Sequence, residues 1–369
     1  MRKPMLRLVV SILVLVATTA SAVDLRYPQL PPLPKPPREA GNPPTRARRY
    51  LGAELFFDTQ LSTSGFTSCN NCHVYNTNWQ DNLVKPRPDT SQGTNFFTLP
   101  FNTESMLNIT HRTFFFRDGR LQDLGHAFTE PWIEDNQQLG TTRAAAATHL
   151  ATILRAKPGY VARFRRAFAA DITHLPDQDV FDLAGKALAV FARQIVTRPA
   201  PFDRWNQRRG SIPDAAVRGV ALFTGRAGCI GCHVGPNFTD NGFHNISTSP
   251  PGPGGARADE GRARVTGRPE DGGKFLTPTL RQVVTTSPYY HDGSALTLKD
   301  VIDYLDTGAS ADPNHDPAVG TPLGLSDQDK ADLYAFLKTL RGPPTVARGP
   351  TGRLCDDAAV AALRAQLPR

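Results

Sequence analysis

Two copies of one pentapeptide constrain this chain more than any other feature: Cys69-Asn70-Asn71-Cys72-His73 and Cys229-Ile230-Gly231-Cys232-His233. In C-x-x-C-H, two thiols three positions apart can add to the two vinyl groups of one haem, and the imidazole that follows becomes the proximal iron ligand. A lone C-x-x-C would read as a redox disulfide or half of a zinc site. A His directly after both pairs, with no further Cys pair to complete a zinc site, favours two covalently attached c-type haems. The fifth cysteine, Cys355, is a lone thiol near the C-terminus.

Residues 1–22 have the form of an export signal. Arg2, Lys3 and Arg7 precede an apolar run from Leu8 to Val16, and Ala20-Ser21-Ala22 supplies a cleavage site. That run is too short to span a bilayer after processing. No later segment approaches about eighteen apolar residues, so no membrane span is expected. Export suits haem attachment outside the cytoplasm, and the expected compartment is the periplasm. Lys plus Arg exceed Asp plus Glu by 42 − 34 = 8, of which the signal holds three. No basic run interleaves with aromatics, which argues against a nucleic-acid partner. A mildly basic surface suits an acidic electron-carrier protein.

Residues 23–45 are dense in proline, from Pro28 to Pro44, which forbids helix and predicts an extended arm on the surface or in solvent. Helical periodicity starts at Arg46 and runs to Phe57, with Leu51, Leu55 and Phe56 on one side. It returns at 142–156, 159–169, 178–197 and 298–305, then from the N-cap Ser326 to Arg341-Gly342-Pro343. Strand signals are few, so the class is mainly α. The Pro-interrupted segment from Thr197 to Pro213 reads as a joint between domains at 46–200 and 214–345, with a tail at 346–369. The long polar segment from Val74 to Pro100 reads as a loop over the first haem. Gly52-Ala53-Glu54-Leu55-Phe56 and Gly219-Val220-Ala221-Leu222-Phe223 each precede a haem motif. This shared G-x-x-L-F is a weak internal repeat and suggests two related domains.

Several further motifs resemble the bacterial diheme cytochrome c peroxidase and MauG family, over roughly residues 46–342. They are Leu51-Gly52-Ala53-Glu54-Leu55-Phe56-Phe57-Asp58, Asp118-Gly119-Arg120, Gly235-Pro236-Asn237-Phe238-Thr239-Asp240 and Phe243-His244-Asn245. Thr277-Pro278-Thr279-Leu280-Arg281 and Pro288-Tyr289-Tyr290-His291-Asp292-Gly293 complete the set. The resemblance implies two cytochrome c-like domains whose haems face each other across the interface. It implies that hydrogen peroxide reacts at the N-terminal haem, on His73, while the C-terminal haem, on His233, passes electrons to it. Those electrons would come from a small donor protein, a cytochrome c or cupredoxin, or, in MauG-like members, from a protein substrate. A calcium ion would sit between the haems, held by the side chain of Asn102 and the carbonyls of Thr286 and Pro288, neutral oxygens that suit a hard cation. The resemblance also puts His291 and Arg281 near the haem interface, with Arg281 pairing a propionate. Family members are often homodimers.

Four positions depart from the family pattern. Where many of its peroxidases cap the resting N-terminal haem with a His, the ungapped register gives Thr94, which is no iron ligand. That haem is expected to be open, with His111 and His126 as alternative caps. The family Trp before Asp-Gly-Arg is Arg117 here, which cannot be oxidised at an accessible potential, so Trp79, Trp132 or Phe114–Phe116 are left as candidates for the gap. The distal Glu falls on Gln137 or Gln138, depending on a one-residue gap. An amide can hydrogen-bond peroxide but cannot take its proton, and general acid–base catalysis is commonly worth about 10²–10⁴ in rate. Glu134 and Asp135 are the nearby substitutes. At the second haem the sixth-ligand position is Leu305, with Tyr304 beside it as leading candidate, His244 and His315 next, and a five-coordinate iron also open. The second domain has no Met, and the first has only Met106, so a His/Met haem is excluded there.

The reading is therefore a periplasmic diheme oxidoreductase that reduces peroxide, with MauG-like oxidation of a specific substrate as its variant. The competing reading, motivated by Arg117, Gln137/Gln138 and Leu305, is a diheme electron carrier or haem sensor without turnover.

Overall fold

The computed structural model describes residues 25–84, 101–133, 139–252, 257–309 and 311–343. The export segment, Thr94, Glu134 to Gln138 and Cys355 lie outside the described residues. The first half carries helices α1 (Arg46–Phe57), α2 (Cys69–Cys72), α3 (Leu124–Thr129), α4 (Arg143–Arg155), α5 (Pro158–Phe168) and α6 (Asp177–Ala192). The second carries α7 (Pro201–Asn206), α8 (Asp214–Thr224), α9 (Ala263–Thr266), α10 (Leu298–Asp306) and α11 (Asp327–Lys338). Two-residue strands β1 (Phe243–His244) and β2 (Phe275–Leu276) pair antiparallel. The fold is mainly helical, as the periodicity predicts.

Sequence signals and helix ends agree where capping chemistry is explicit. Thr45 caps α1 by accepting from the Arg48 N–H at 3.2 Å. Ser326 and Asp329 form the reciprocal box that starts α11. The helix expected over 178–197 instead stops at Ala192. Ile195, Val196 and Thr197 are β-branched and Arg198 precedes a proline, so the last turn is not continued.

The G-x-x-L-F repeat has a packing cause. A Cβ on Gly52 would stand 2.1 Å from the Ala187 carbonyl oxygen of α6, and one on Gly219 would stand 2.0 Å from the Asp332 carbonyl oxygen of α11. Only glycine lets these helix pairs cross so closely. The Phe four residues on then meets its partner on the crossing helix, Phe56 on Phe191 at 5.2 Å and Phe223 on Phe336 at 5.0 Å between ring centroids. Each half thus buries its own apolar cluster around the same α1–α6 or α8–α11 crossing.

Two expectations need correction. The Pro-rich arm is neither free nor merely laid on the surface. Leu30 is fully buried in the second cluster, Tyr27 stacks on Trp205, and the Asn206 amide donates to the Leu30 carbonyl at 2.8 Å. Nor is the segment from Thr197 to Pro213 a bare joint. Pro201 opens α7 rather than breaking it, and Phe202 and Trp205 enter the second core. Among the described residues no helix is long and apolar enough to cross a membrane.

Candidate haem centres

The first motif folds as the single turn α2, with Asn71 Oδ1 accepting the Ser68 N–H at 3.1 Å, and the His73 N–H donates back to the Cys69 carbonyl at 2.9 Å. The second motif makes the same return bond, His233 N–H to the Cys229 carbonyl at 2.9 Å. A turn of this pitch brings residues i and i+3 to one face, where both thiols reach one porphyrin edge. Each His is then oriented by a carbonyl a few residues on: Trp79 for His73 Nδ1 at 3.3 Å, and Phe238 for His233 Nδ1 at 3.0 Å. Both acceptors sit in left-handed turns, with φ of 61° and 53°, which fold the chain back over the ring. A carbonyl can only accept, so Nδ1 carries the proton and Nε2 keeps its lone pair for iron. Burial pushes both imidazoles below their ordinary pKa, which keeps them neutral as a ligand must be. Burial also pushes the Cys69 and Cys72 thiols up to about 12. That disfavours the reactive thiolate of a redox pair.

A cavity of about 380 Å³ adjoins Cys69, Cys72 and His73. Met106, Ile109, Phe115, Phe128 and Ile133 form apolar walls, while Arg112, Arg117, Arg120 and Arg264 bring guanidinium groups to it. Glu104 also lines it. Burial pushes its carboxyl up, but Arg112 at 2.8 Å and Arg117 at 3.8 Å outweigh this and hold it below the usual range. The Nε of Arg117 is buried and makes no hydrogen bond, with the Glu104 carboxylate 3.8 Å away. An apolar slot beside two thiols and a neutral imidazole, rimmed by cationic donors, fits a haem and its two carboxylates.

The predicted site residues are partly brought together. Arg117 and Asn102 meet at the cavity, Nη2 to Oδ1 at 3.2 Å, and the Asn102 N–H donates to the His291 carbonyl at 2.7 Å. That places Asn102 against the segment carrying Thr286 and Pro288. Pro131 and Ile133, just before the Gln137/Gln138 pair, line the cavity. Met106 belongs to the proximal wall, because its N–H shares the Trp79 carbonyl with His73.

Other candidates engage protein groups. Arg281 is committed to protein groups: Nη1 and Nη2 each reach Asp203 at 2.9 Å and Nε donates to the Pro236 carbonyl at 2.6 Å. It is a buried strut rather than a propionate clamp. Tyr304 donates its hydroxyl to the Ile246 carbonyl at 2.8 Å, and burial pushes its pKa up, which favours the neutral phenol in this protein contact. His244 has both ring nitrogens on carboxylates, Nδ1 on Asp316 at 2.5 Å and Nε2 on Asp240 at 2.8 Å, which leaves no lone pair for iron. The His315 Nδ1 lies 2.7 Å from the Asp312 carbonyl. His126 is half exposed beside Asp123 and Asp182 on the surface. His111 faces Arg281; burial and then that charge push it down to about 4. Trp79 and Trp132 bury their rings in the first core, against Phe56 and Phe191 and against Phe181, so neither ring bridges the domains. The Phe run divides its labour: Phe114 packs on Phe243 of the second half, while Phe115 and Phe116 line the cavity. Glu104 and Arg112 went unnoticed in the sequence because they belong to no motif.

Comparison with known proteins agrees with this geometry. Residues 46–211 match the family described as di-haem cytochrome c peroxidase, and residues 216–341 match cytochrome c. The chain is 32% identical over 352 residues to a cytochrome-c peroxidase, IdrP1, of Denitromonas iodatirespirans, covering 88% of this chain and 89% of that protein. It is 34% identical over 332 residues to the methylamine utilization protein MauG of Methylorubrum extorquens, covering 88% and 85%. Among solved structures, a MauG-like protein associated with microbial copper homeostasis superposes with a TM-score of 0.72 at 26% identity, over 84% of this chain and 93% of that one.

Proposed function

This chain belongs to the diheme cytochrome c peroxidase and MauG family, and from that premise we propose that it reduces hydrogen peroxide at the cavity beside His73, using electrons that enter through the centre on His233. The broad assignment, a peroxidase-like oxidoreductase with two c-type haems, follows from relatives at 30–34% identity over most of the chain. The observation that carries the finer reading is the cavity itself, which adjoins His73 and its two thiols and has apolar walls with guanidinium groups beside them. The haem supplies an iron that can bind peroxide and exchange electrons.

The chain's own residues set the conditions for that chemistry. The Trp79 carbonyl holds His73 in one tautomer, which makes the imidazole a stronger donor. Ile109, Phe115, Phe128 and Ile133 give the cavity apolar walls, which lowers the polarity around the charges at its rim. Arg112 keeps Glu104 ionised, so Glu104 is an acceptor and not a proton donor there. The protons needed for O–O cleavage are assigned to the segment after Ile133, where Gln137 or Gln138 would hydrogen-bond peroxide and Glu134 or Asp135 would relay the proton. In the second half, His244 and Tyr304 would each have to give up a protein hydrogen bond before reaching an iron held by His233. Across the interface, the Leu276 N–H donates to the Arg117 carbonyl at 2.8 Å and Arg262 donates to the Asp118 and Gly119 carbonyls at 2.9 Å, fixing the two centres relative to each other. Export to the periplasm through residues 1–22 supplies the compartment where such haems are attached. A small acidic cytochrome c or cupredoxin is the electron donor that the charge suits.

Reduction of peroxide to two waters consumes two electrons and two protons. Mixing the holoprotein with peroxide and an excess of a reduced small cytochrome c should oxidise two donor molecules per peroxide. Peroxide consumption without donor oxidation would favour the MauG-like variant, and no consumption at all would leave only the electron-carrier reading.

A further inference from the structure

Asn102 and Arg117 are at odds with the calcium ion that the family resemblance implies. Both ends of the Asn102 amide are committed: Nδ2 donates to the Leu83 carbonyl at 2.8 Å, and Oδ1 accepts from Arg117 Nη2 at 3.2 Å. The oxygen that would face a metal ion therefore faces a guanidinium. Calcium sits about 2.3–2.6 Å from its oxygens. At Oδ1 it would stand within contact range of a full positive charge in a buried site, where repulsion is poorly screened.

Arg117 is not placed to withdraw. Its side chain is only 13% exposed, and its carbonyl is tied across the domain interface to the Leu276 N–H at 2.8 Å. Glu104 Oε1, 3.8 Å from its Nε, adds an attractive partner on the other side. Asn102 is equally fixed, since its own N–H donates to the His291 carbonyl.

From this geometry we infer that Arg117 is the resident cation of the interdomain site, and that it holds Asn102, and through it the segment at His291, without calcium. A charge carried on the chain cannot be lost to dilution or to a chelator. It also brings one positive charge where a calcium ion brings two. The Nε makes no hydrogen bond, which leaves one donor for a carboxylate, and a haem propionate is the anion that a loaded cavity would offer it. This inference rests on the haem-binding assignment and is independent of whether peroxide is turned over.

The test is metal analysis and spectroscopy on the holoprotein. Protein purified in calcium-containing buffer should hold far less than one calcium per chain by elemental mass spectrometry. Treatment with EGTA should leave its low-temperature EPR spectrum and both haem midpoint potentials unchanged. Arg117→Gln removes the charge and releases Asn102 Oδ1. That variant should keep both covalent haems by pyridine haemochrome, shift the EPR spectrum, and acquire a spectrum that responds to added calcium. One tightly held calcium per wild-type chain, whose removal alters the spectrum, overturns the inference. So does an Arg117→Gln protein whose spectrum and potentials match the wild type with or without calcium. If the variant does not fold, the wild-type calcium content and EGTA response decide alone.

Discussion

Replacing His73 with Gly is expected to abolish the peroxide response of the N-terminal centre while leaving its haem attached. Attachment runs through Cys69 and Cys72, so the pyridine haemochrome should still report two haems per chain. What is lost is the axial nitrogen that the Trp79 carbonyl holds in place at 3.3 Å. The rate of the absorbance change on adding peroxide should fall to that of exposed haem. Added imidazole should restore part of it, because a diffusible ligand can occupy the space the side chain left. A His73→Gly protein that still reacts at the wild-type rate would mean that peroxide is handled at the other centre. The corresponding change at His233 should spare the first reaction with peroxide and stop only the supply of electrons from a donor.

The second large effect concerns stability. Asp203 and Arg281 are 1% and 3% exposed and paired through two 2.9 Å bonds, and Asp203 also accepts the Ala200 N–H at 2.7 Å to start α7. Asp203→Ala would leave a buried guanidinium without its counter-charge, a class of change that costs about 3–5 kcal/mol. The effect should also reach the second haem. Arg281 Nε holds the Pro236 carbonyl, two residues before the Phe238 carbonyl that orients His233. Thermal unfolding should therefore show a lowered transition, and the low-spin EPR signal or midpoint potential of the C-terminal haem should shift with it. Asp203→Asn, which keeps the hydrogen-bonding shape without the charge, should fall between. An Asp203→Ala protein that is destabilised but has an unchanged second haem would break the proposed link from Arg281 to His233.

What was legible in the sequence was whatever is encoded locally. The C-x-x-C-H turns, the helix starts at Arg46 and Ser326, and the repeated G-x-x-L-F all depend on contacts within one turn or on one recurrent helix crossing. What was not legible depends on partners far apart in the chain. Arg281 finds Asp203 across 78 positions, and nothing near either residue announces it. Leu30 is buried although prolines surround it, because extended chain can cover a core as well as helix can. Trp79 looked like a candidate electron relay by residue type, but its ring fills the first core and its useful group is the backbone carbonyl. Tyr304 and His244 were plausible ligands by position, and nothing local announced their hydrogen bonds to Ile246 and to Asp316. Glu104 and Arg112 could be found only once the cavity had walls.

The central claim is that one centre is open and reactive while the other serves it. The most direct test is to mix the purified diferric protein with one equivalent of peroxide, and to follow the Soret band and the low-temperature EPR spectrum on the same samples. The resting protein should show a high-spin ferric signal that disappears rapidly with a Soret shift. Two low-spin haems that stay unchanged after peroxide would contradict it.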